Sequence, residues 1–154
     1  MNLVSGNLLD LADQGQFDAI MHGCNCFGVM GAGIALQIAN RYPDARTADL
    51  HTVKGDPGKL GTYTLGLHKG LLIINVYSQY SMAQSGGDVF EYLAFQRALD
   101  RIAERWGHLR IGLPMIGMGL AGGDSQRILG MIDAFSQRVE RLGGSVTLVE
   151  YKRG

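Results

Sequence analysis

His22-Gly23-Cys24-Asn25-Cys26-Phe27-Gly28-Val29-Met30-Gly31-Ala32-Gly33-Ile34-Ala35 is the stretch that decides the fold of this chain. An apolar strand, Phe17 to Met21, runs into it, and a helix opens out of it at about Gly33-Ile34. A strand that ends in a Gly-rich turn and restarts as a helix leaves free backbone N–H groups facing one spot. The positive end of the helix dipole faces the same spot, which suits an anion such as phosphate. Gly28, Gly31 and Gly33 let the backbone approach a ligand where a Cβ would stand in the way. The spacing is neither G-x-G-x-x-G nor G-x-x-x-x-G-K-[ST], so the two commonest nucleotide loops are excluded and a phosphate loop of another kind is expected.

The flanking pattern alternates strands and helices. Before the loop, Asn2 to Val4 reads as a short strand, followed by the turn Ser5-Gly6-Asn7 and the apolar pair Leu8-Leu9. After it, Gly33 to Arg41 is apolar at Ile34, Ala35, Ile38 and Ala39, a helical spacing that Tyr42-Pro43 ends. A second short helix over Asp44 to Asp49 precedes a surface loop, Lys54 to Lys59. Gly61 to Leu67 and Leu71 to Ser78 form a strand pair joined by His68-Lys69-Gly70. Ser81 to Gly87 reads as a mobile loop, and Asp88 as the start of a helix with Phe90, Leu93, Ala94, Ala98, Leu99 and Ile102 on one face. A strand over Leu109 to Leu113 leads to a second Gly-rich loop, Gly117 to Asp124. A helix capped by Asp124 or Ser125 then runs to Leu142 and Gly143-Gly144, before a last strand, Ser145 to Tyr151. The pattern predicts an α/β fold of three layers, α/β/α, with a mixed, mostly parallel central sheet. Two Gly-rich loops each follow a strand and open a helix, and ligands of such sheets bind at the carboxyl ends of strands. A loop on either side would suit a diphosphate.

Composition bounds the rest. The chain has 154 residues, 46% hydrophobic and 18% charged, which suffices for one domain over 1–154 with a real core. Fourteen basic residues balance fourteen acidic ones, so no electrostatic footprint for nucleic acid or an anionic membrane is expected. The start, Met1-Asn2-Leu3-Val4-Ser5, has no signal-peptide pattern, and no run of about 18 apolar residues could cross a membrane. Cys24 and Cys26, the two cysteines, are poorly spaced for a disulfide and lack partners for zinc, which points to a reducing, cytoplasmic setting without a metal.

Taken together, these residues resemble a macro domain, the module that binds ADP-ribose. Gly6-Asn7-Leu8-Leu9 resembles its Gly-Asp-Leu/Ile start, and Asp18 to Cys26 resembles its strand ending in a ligand-facing Asn. Gly28 to Ala35 and Gly117 to Asp124 resemble its first and second phosphate loops. The form Gly-Val-Met-Gly-x-Gly-Ile-Ala looks most like the branch of terminal ADP-ribose glycohydrolases and DNA-ADP-ribose hydrolases. Small phage and bacterial proteins that process ADP-ribose-1''-phosphate are similar as well.

The resemblance implies roles residue by residue. Asn7 would stand where an acidic residue accepts from the adenine amino group, keeping an acceptor oxygen without the charge. Leu8 would offer backbone contacts beside it, and Asn25 would hydrogen-bond the distal ribose. Met30, Gly31, Ala32, Gly33 and Ile34 would wrap the diphosphate together with Gly117, Met118, Gly119 and Leu120. Tyr151 would stack near the adenine. No cofactor is implied. The partner is ADP-ribose or an ADP-ribosylated substrate, with nucleic acid entering only as an ADP-ribosylated target. In the glycohydrolase branch a Lys follows the fourth strand and forms a covalent adduct with the opened ribose. Here Asn75-Val76-Tyr77-Ser78-Gln79-Tyr80 holds no Lys, and Gln79 cannot form a Schiff base. Asp124 would then promote water attack at the distal ribose, with Asn25 positioning the sugar and His22 the other titratable group nearby.

Each candidate keeps a structural alternative. Asp124 is also a helix N-cap, His22 a satisfied structural histidine, and Asn25 a residue that bonds its own turn. The cysteines double as small buried hydrophobes, and Met30 and Met118 as gap fillers. The function expected is hydrolysis of a group at the distal ribose, a phosphomonoester or an ADP-ribosyl adduct. The alternative is an ADP-ribose reader without turnover.

Overall fold

The computed structural model describes residues 1–82, 89–119 and 121–152. The expected loop over Ser81 to Gly87 and helix start at Asp88 lie, from 83 to 88, outside the described residues, as does Leu120. The apolar run at the centre of the chain forms β4 (Leu71–Tyr77), which is almost wholly buried. It pairs in parallel with β2 (Ala19–Cys24) and antiparallel with β3 (Tyr63–His68). On the other side β2 pairs with β5 (Arg110–Leu113), then come β6 (Ser145–Tyr151) and β1 (Asn2–Gly6), all parallel. The six-stranded sheet therefore runs β1-β6-β5-β2-β4-β3, parallel except at its β3 edge.

Alternation along the strands assigns the two faces. Ala19, Met21, Ile74, Val76, Ile111, Leu113 and Leu148 pack against α4 (Tyr92–Trp106) and α5 (Ser125–Arg141). Ile20, Ile73 and Val149 face the other way, toward α1 (Leu8–Asp13), α2 (Gly33–Arg41) and α3 (Pro43–Leu50). Side chains of successive strand residues point to opposite faces, so a nearly continuous apolar run feeds both cores at once. These are the three layers expected. The outer contact of β3 with α3 is tight: a Cβ on Gly66 would lie 2.6 Å from the backbone of Ala45.

Several boundaries differ from the sequence expectation. β1 extends to Gly6, and β2 starts at Ala19 and runs to Cys24, because its parallel ladder with β4 continues as far as Cys24 and Tyr77. His22-Gly23-Cys24 is therefore strand rather than turn. Leu8-Leu9 opens a helix, α1, where an apolar pair in a turn was expected. Asn7 caps it, and Leu8, Leu9 and Ala12 bury themselves under β2. α4 begins at Tyr92, after Phe90 makes an isolated bridge with Gln79. α2, α5 and β6 fall on the expected bounds, except that α5 ends at Arg141. Among the described residues, no helix is long and apolar enough to cross a membrane.

Candidate functional site

The adjacent strands β2 and β5 send the chain in opposite directions. After β2 it passes through α2 and α3 to β3, and after β5 through α5 to β6 on the other flank. Such a switch point opens a crevice at the carboxyl ends of the strands. Both Gly-rich loops leave from there, side by side.

Two cavities occupy the crevice. One, of about 430 Å³, is lined by Asn25, Gly31, Ala32, Gln79 and Ala121 among others. The second, of about 380 Å³, is mostly apolar and lies among Leu8, Ile34, Met115, Val149 and Tyr151, with Asn7 and Gln37 as its amide side chains. Gly33 lines both, so the cavities meet at the first residue of α2. The loop between β2 and α2 is held from two sides: Asn25 Nδ2 donates to Val29 O at 2.9 Å, and the Arg46 guanidinium donates to Gly28 O. Its amides are left over. Among the described residues, none of the backbone N–H groups from Gly28 through Ala35 donates a hydrogen bond, and the N-cap, Ala32, contributes no side-chain cap. Buried or clefted backbone donors are almost always paired, so a run of open amides beside a cavity is a site for an acceptor.

Gly31, Ala32, Gly33 and Asn25 thus come together at one cavity, and Asn7, Leu8, Ile34 and Tyr151 at the other. Asn25, 8% exposed, uses both ends of its amide within the loop, since Phe27 N also donates to its Oδ1 at 2.9 Å. One N–H and one lone pair remain for a ligand. Met30 is buried in the core beneath the loop rather than at a cavity wall. Gly117 packs against Phe90 and accepts from Gly123 N, and neither it nor Met118 or Gly119 lines either cavity. Asp124 sits exposed at the N-cap of α5, where its Oδ1 accepts from Gln126 N and Arg127 N at 3.0 and 3.3 Å. It lines neither cavity. Residues that sequence inspection passed over include Gln37, Pro114, Met115 and Val149 at the apolar cavity, and Val29, Met82 and Ala121 at the other. Pro114 and Met115 could have been found from their place just beyond β5, beside the switch point. Nothing in the sequence marks Gln37 or Arg46.

No family model matches the chain. An uncharacterised 17.5 kDa protein from the tk-vs intergenic region of Enterobacteria phage T4 is 33% identical over 148 residues, covering 89% of this chain and 90% of its own. Among solved structures, the macrodomain of Mycobacterium tuberculosis DarG superposes with a TM-score of 0.70 at 23% identity, over 99% of this chain and 98% of that one. The Trypanosoma brucei macrodomain in complex with ADP-ribose gives 0.65 at 18% identity, over 98% of this chain and 63% of its own. The chain has the macrodomain fold. The phage T4 protein belongs with it in one family.

His22, too, is absent from the cleft. It is completely buried, on the face of β2 that meets α3, and it lines neither cavity. Its Nε2 donates to Asn75 Oδ1 at 2.7 Å, because Asn75 Nδ2 is itself committed to Ala45 O and Thr64 Oγ1. His22 is therefore structural and neutral, not catalytic. Burial pushes it down to about 4, against the upward pull of the Asn75 hydrogen bond and the Asp49 charge. The Cys24 and Cys26 thiols are buried and pushed up, chiefly by the same desolvation, so neither is poised as a nucleophile.

The depressed histidine sets a pH dependence. The unfolded chain takes up a proton near pH 6.5 that the folded chain refuses until about 4. Stability from His22 is thus whole above pH 6.5 and is lost as the pH falls toward 4, by ~3 kcal/mol. Urea midpoints measured from pH 7 to 4 should fall more steeply for the wild type than for His22→Gln. Parallel curves would remove His22 as the source.

Proposed function

We propose that the crevice binds ADP-ribose or a group carrying it. The observation that carries this is the run of open amides from Gly28 through Ala35, set where an apolar cavity and a glycine-lined cavity meet. ADP-ribose has one flat ring, one diphosphate and one distal sugar. The ring suits the slot between Ile34, Met115 and Tyr151, the diphosphate suits the amides near Gly33, and the sugar suits the cavity beside Asn25. Backbone amides and a helix N-terminus compensate phosphate charge without any basic side chain, in keeping with a chain of zero net charge. The solved Trypanosoma relative that holds ADP-ribose supports the same assignment.

Hydrolysis at the distal ribose is the catalytic extension of that reading, and Asp124 is the residue that it needs. Its cap occupies Oδ1 alone, and among the described residues Oδ2 accepts no hydrogen bond, which leaves one oxygen able to orient a water. Asp124 does not line the glycine-lined cavity, and among the described residues no carboxylate does, which favours a reader without turnover. Calorimetric titration with ADP-ribose, with ATP and NAD as controls, tests the binding. Selective micromolar affinity is the expected result, and absence of binding overturns the assignment. Incubation with ADP-ribose-1''-phosphate and with ADP-ribosylated DNA or protein then separates the two forms. Turnover that Asp124→Ala abolishes, with affinity kept within about tenfold, establishes the hydrolase. A wild type without turnover establishes the reader.

A further inference from the structure

Resting on that assignment, we infer that the apolar cavity recognises its ring through an acceptor on the ring's edge, so that it takes a 6-oxo purine at least as well as adenine. The cavity has two amide side chains at its polar end, Asn7 and Gln37, and its remaining walls come from Leu8, Ile34, Met115 and Val149 with Tyr151. Asn7 is not free to choose what it presents. Its Oδ1 accepts from Leu9 N at 3.0 Å and from Asp10 N at 3.1 Å, which uses both lone pairs of the carbonyl oxygen. Those two donors also fix which end of the planar amide is oxygen, because the reversed amide would set N–H against N–H. The group left over is Nδ2, which among the described residues has no partner. Asn7 therefore offers the ligand a donor.

Adenine sets an amino donor at its 6-position, and a second donor facing it forms no bond. Hypoxanthine and guanine set a carbonyl oxygen there, which accepts. The Gln37 amide makes no hydrogen bond among the described residues and can turn to present either end, so it does not restore a preference for adenine. An aspartate at the same position would behave in the opposite way. One carboxylate oxygen would cap α1 and the other would face the cavity as a charged acceptor, favouring the amino group and repelling the carbonyl. Asn7 is in this sense a specificity residue, and the difference between the two side chains is one atom.

The test is titration of the wild type and of Asn7→Asp with ADP-ribose and with its hypoxanthine counterpart. Aspartate is as good an N-cap as asparagine, so the variant keeps α1. The expected result is wild-type affinity for the 6-oxo ligand equal to or tighter than for ADP-ribose, and a shift of the affinity ratio toward adenine by tenfold or more in Asn7→Asp. A wild-type preference for adenine, or a ratio that Asn7→Asp moves by less than tenfold, overturns the inference while leaving the binding assignment in place. Failure of both ligands to bind the wild type overturns the assignment itself, and the inference with it.

Discussion

Valine at Gly33 is expected to weaken ADP-ribose binding by about a thousandfold while the domain remains folded. Three features converge on this residue. It lines both cavities, so any ligand that spans them passes over it. It is the first residue of α2 and carries one of the open amides. Its φ is +57°, in the left-handed region, and a Cβ built on it would meet no atom within 4 Å. Under the proposed binding this open space is where the ligand passes, and a valine side chain would stand in it. A β-branched residue is a marked outlier at positive φ, so the loop also shifts and its amides lose their common aim. Loss of two or three charge-assisted hydrogen bonds accounts for ~4 kcal/mol, which is a thousandfold in affinity. Stability should fall by only ~1–2 kcal/mol, the cost of the strained backbone, because the position is exposed and displaces no core atom. Calorimetry on Gly33→Val and Gly33→Ala, paired with urea unfolding, separates the two effects. Alanine brings the strain with one methyl group and should fall between. Wild-type affinity in the valine variant would place the ligand elsewhere than across Gly33.

The parts of this molecule that sequence patterns revealed are those whose causes are local. α2 and α5 have long apolar periodicity with a proline or a glycine pair at the end, and the loop before α2 declares itself through glycines placed between a strand and a helix. Both loops and their common edge follow from element order alone, since right-handed crossovers leave few alternatives. The parts that stayed hidden depend on what lies across space. α1 has six residues, too few for a period, and its cap doubles as a candidate ligand residue. Asp124 carries the same ambiguity: a carboxylate before a helix reads as catalytic or as a cap, and the geometry gives it the cap through Oδ1 with Oδ2 left over. His22 next to a Gly-rich turn reads as a site residue until β2 is seen to continue three residues further, to Cys24, which turns the imidazole into the sheet–helix interface. Arg46 lies on α3, and only the fold brings it to the carbonyl of Gly28, within the loop that the sequence had already singled out.

The same hidden interface gives the largest expected loss of stability. Asn75→Leu should destabilise the protein by ~4 kcal/mol, near the top of the range for single substitutions. Leucine has the branched skeleton of asparagine but is larger, so no cavity opens; overpacking at ~1–3 kcal/mol adds to an electrostatic cost. Asn75 is wholly buried in the middle of β4 and makes three hydrogen bonds: it accepts from His22 Nε2 at 2.7 Å and donates to Ala45 O at 2.9 Å and to Thr64 Oγ1 at 3.0 Å. Removing it orphans a buried imidazole N–H, at ~1–3 kcal/mol, and takes from the Ala45 carbonyl of α3 its side-chain donor. Thr64 keeps a partner in Tyr77, whose hydroxyl donates to the buried Asp49. The damage should reach the cleft as well, because the Asn75–Ala45 bond ties α3 to the sheet and α3 carries Arg46. His22→Leu in the same chain supplies the control. With both ends of the His22–Asn75 bond replaced by apolar groups, one orphan disappears, and the double variant should be more stable than Asn75→Leu alone. Urea unfolding of the three variants decides it: a double variant at the sum of the single losses would mean that His22 and Asn75 are not energetically coupled, and that the cost of Asn75→Leu lies in packing.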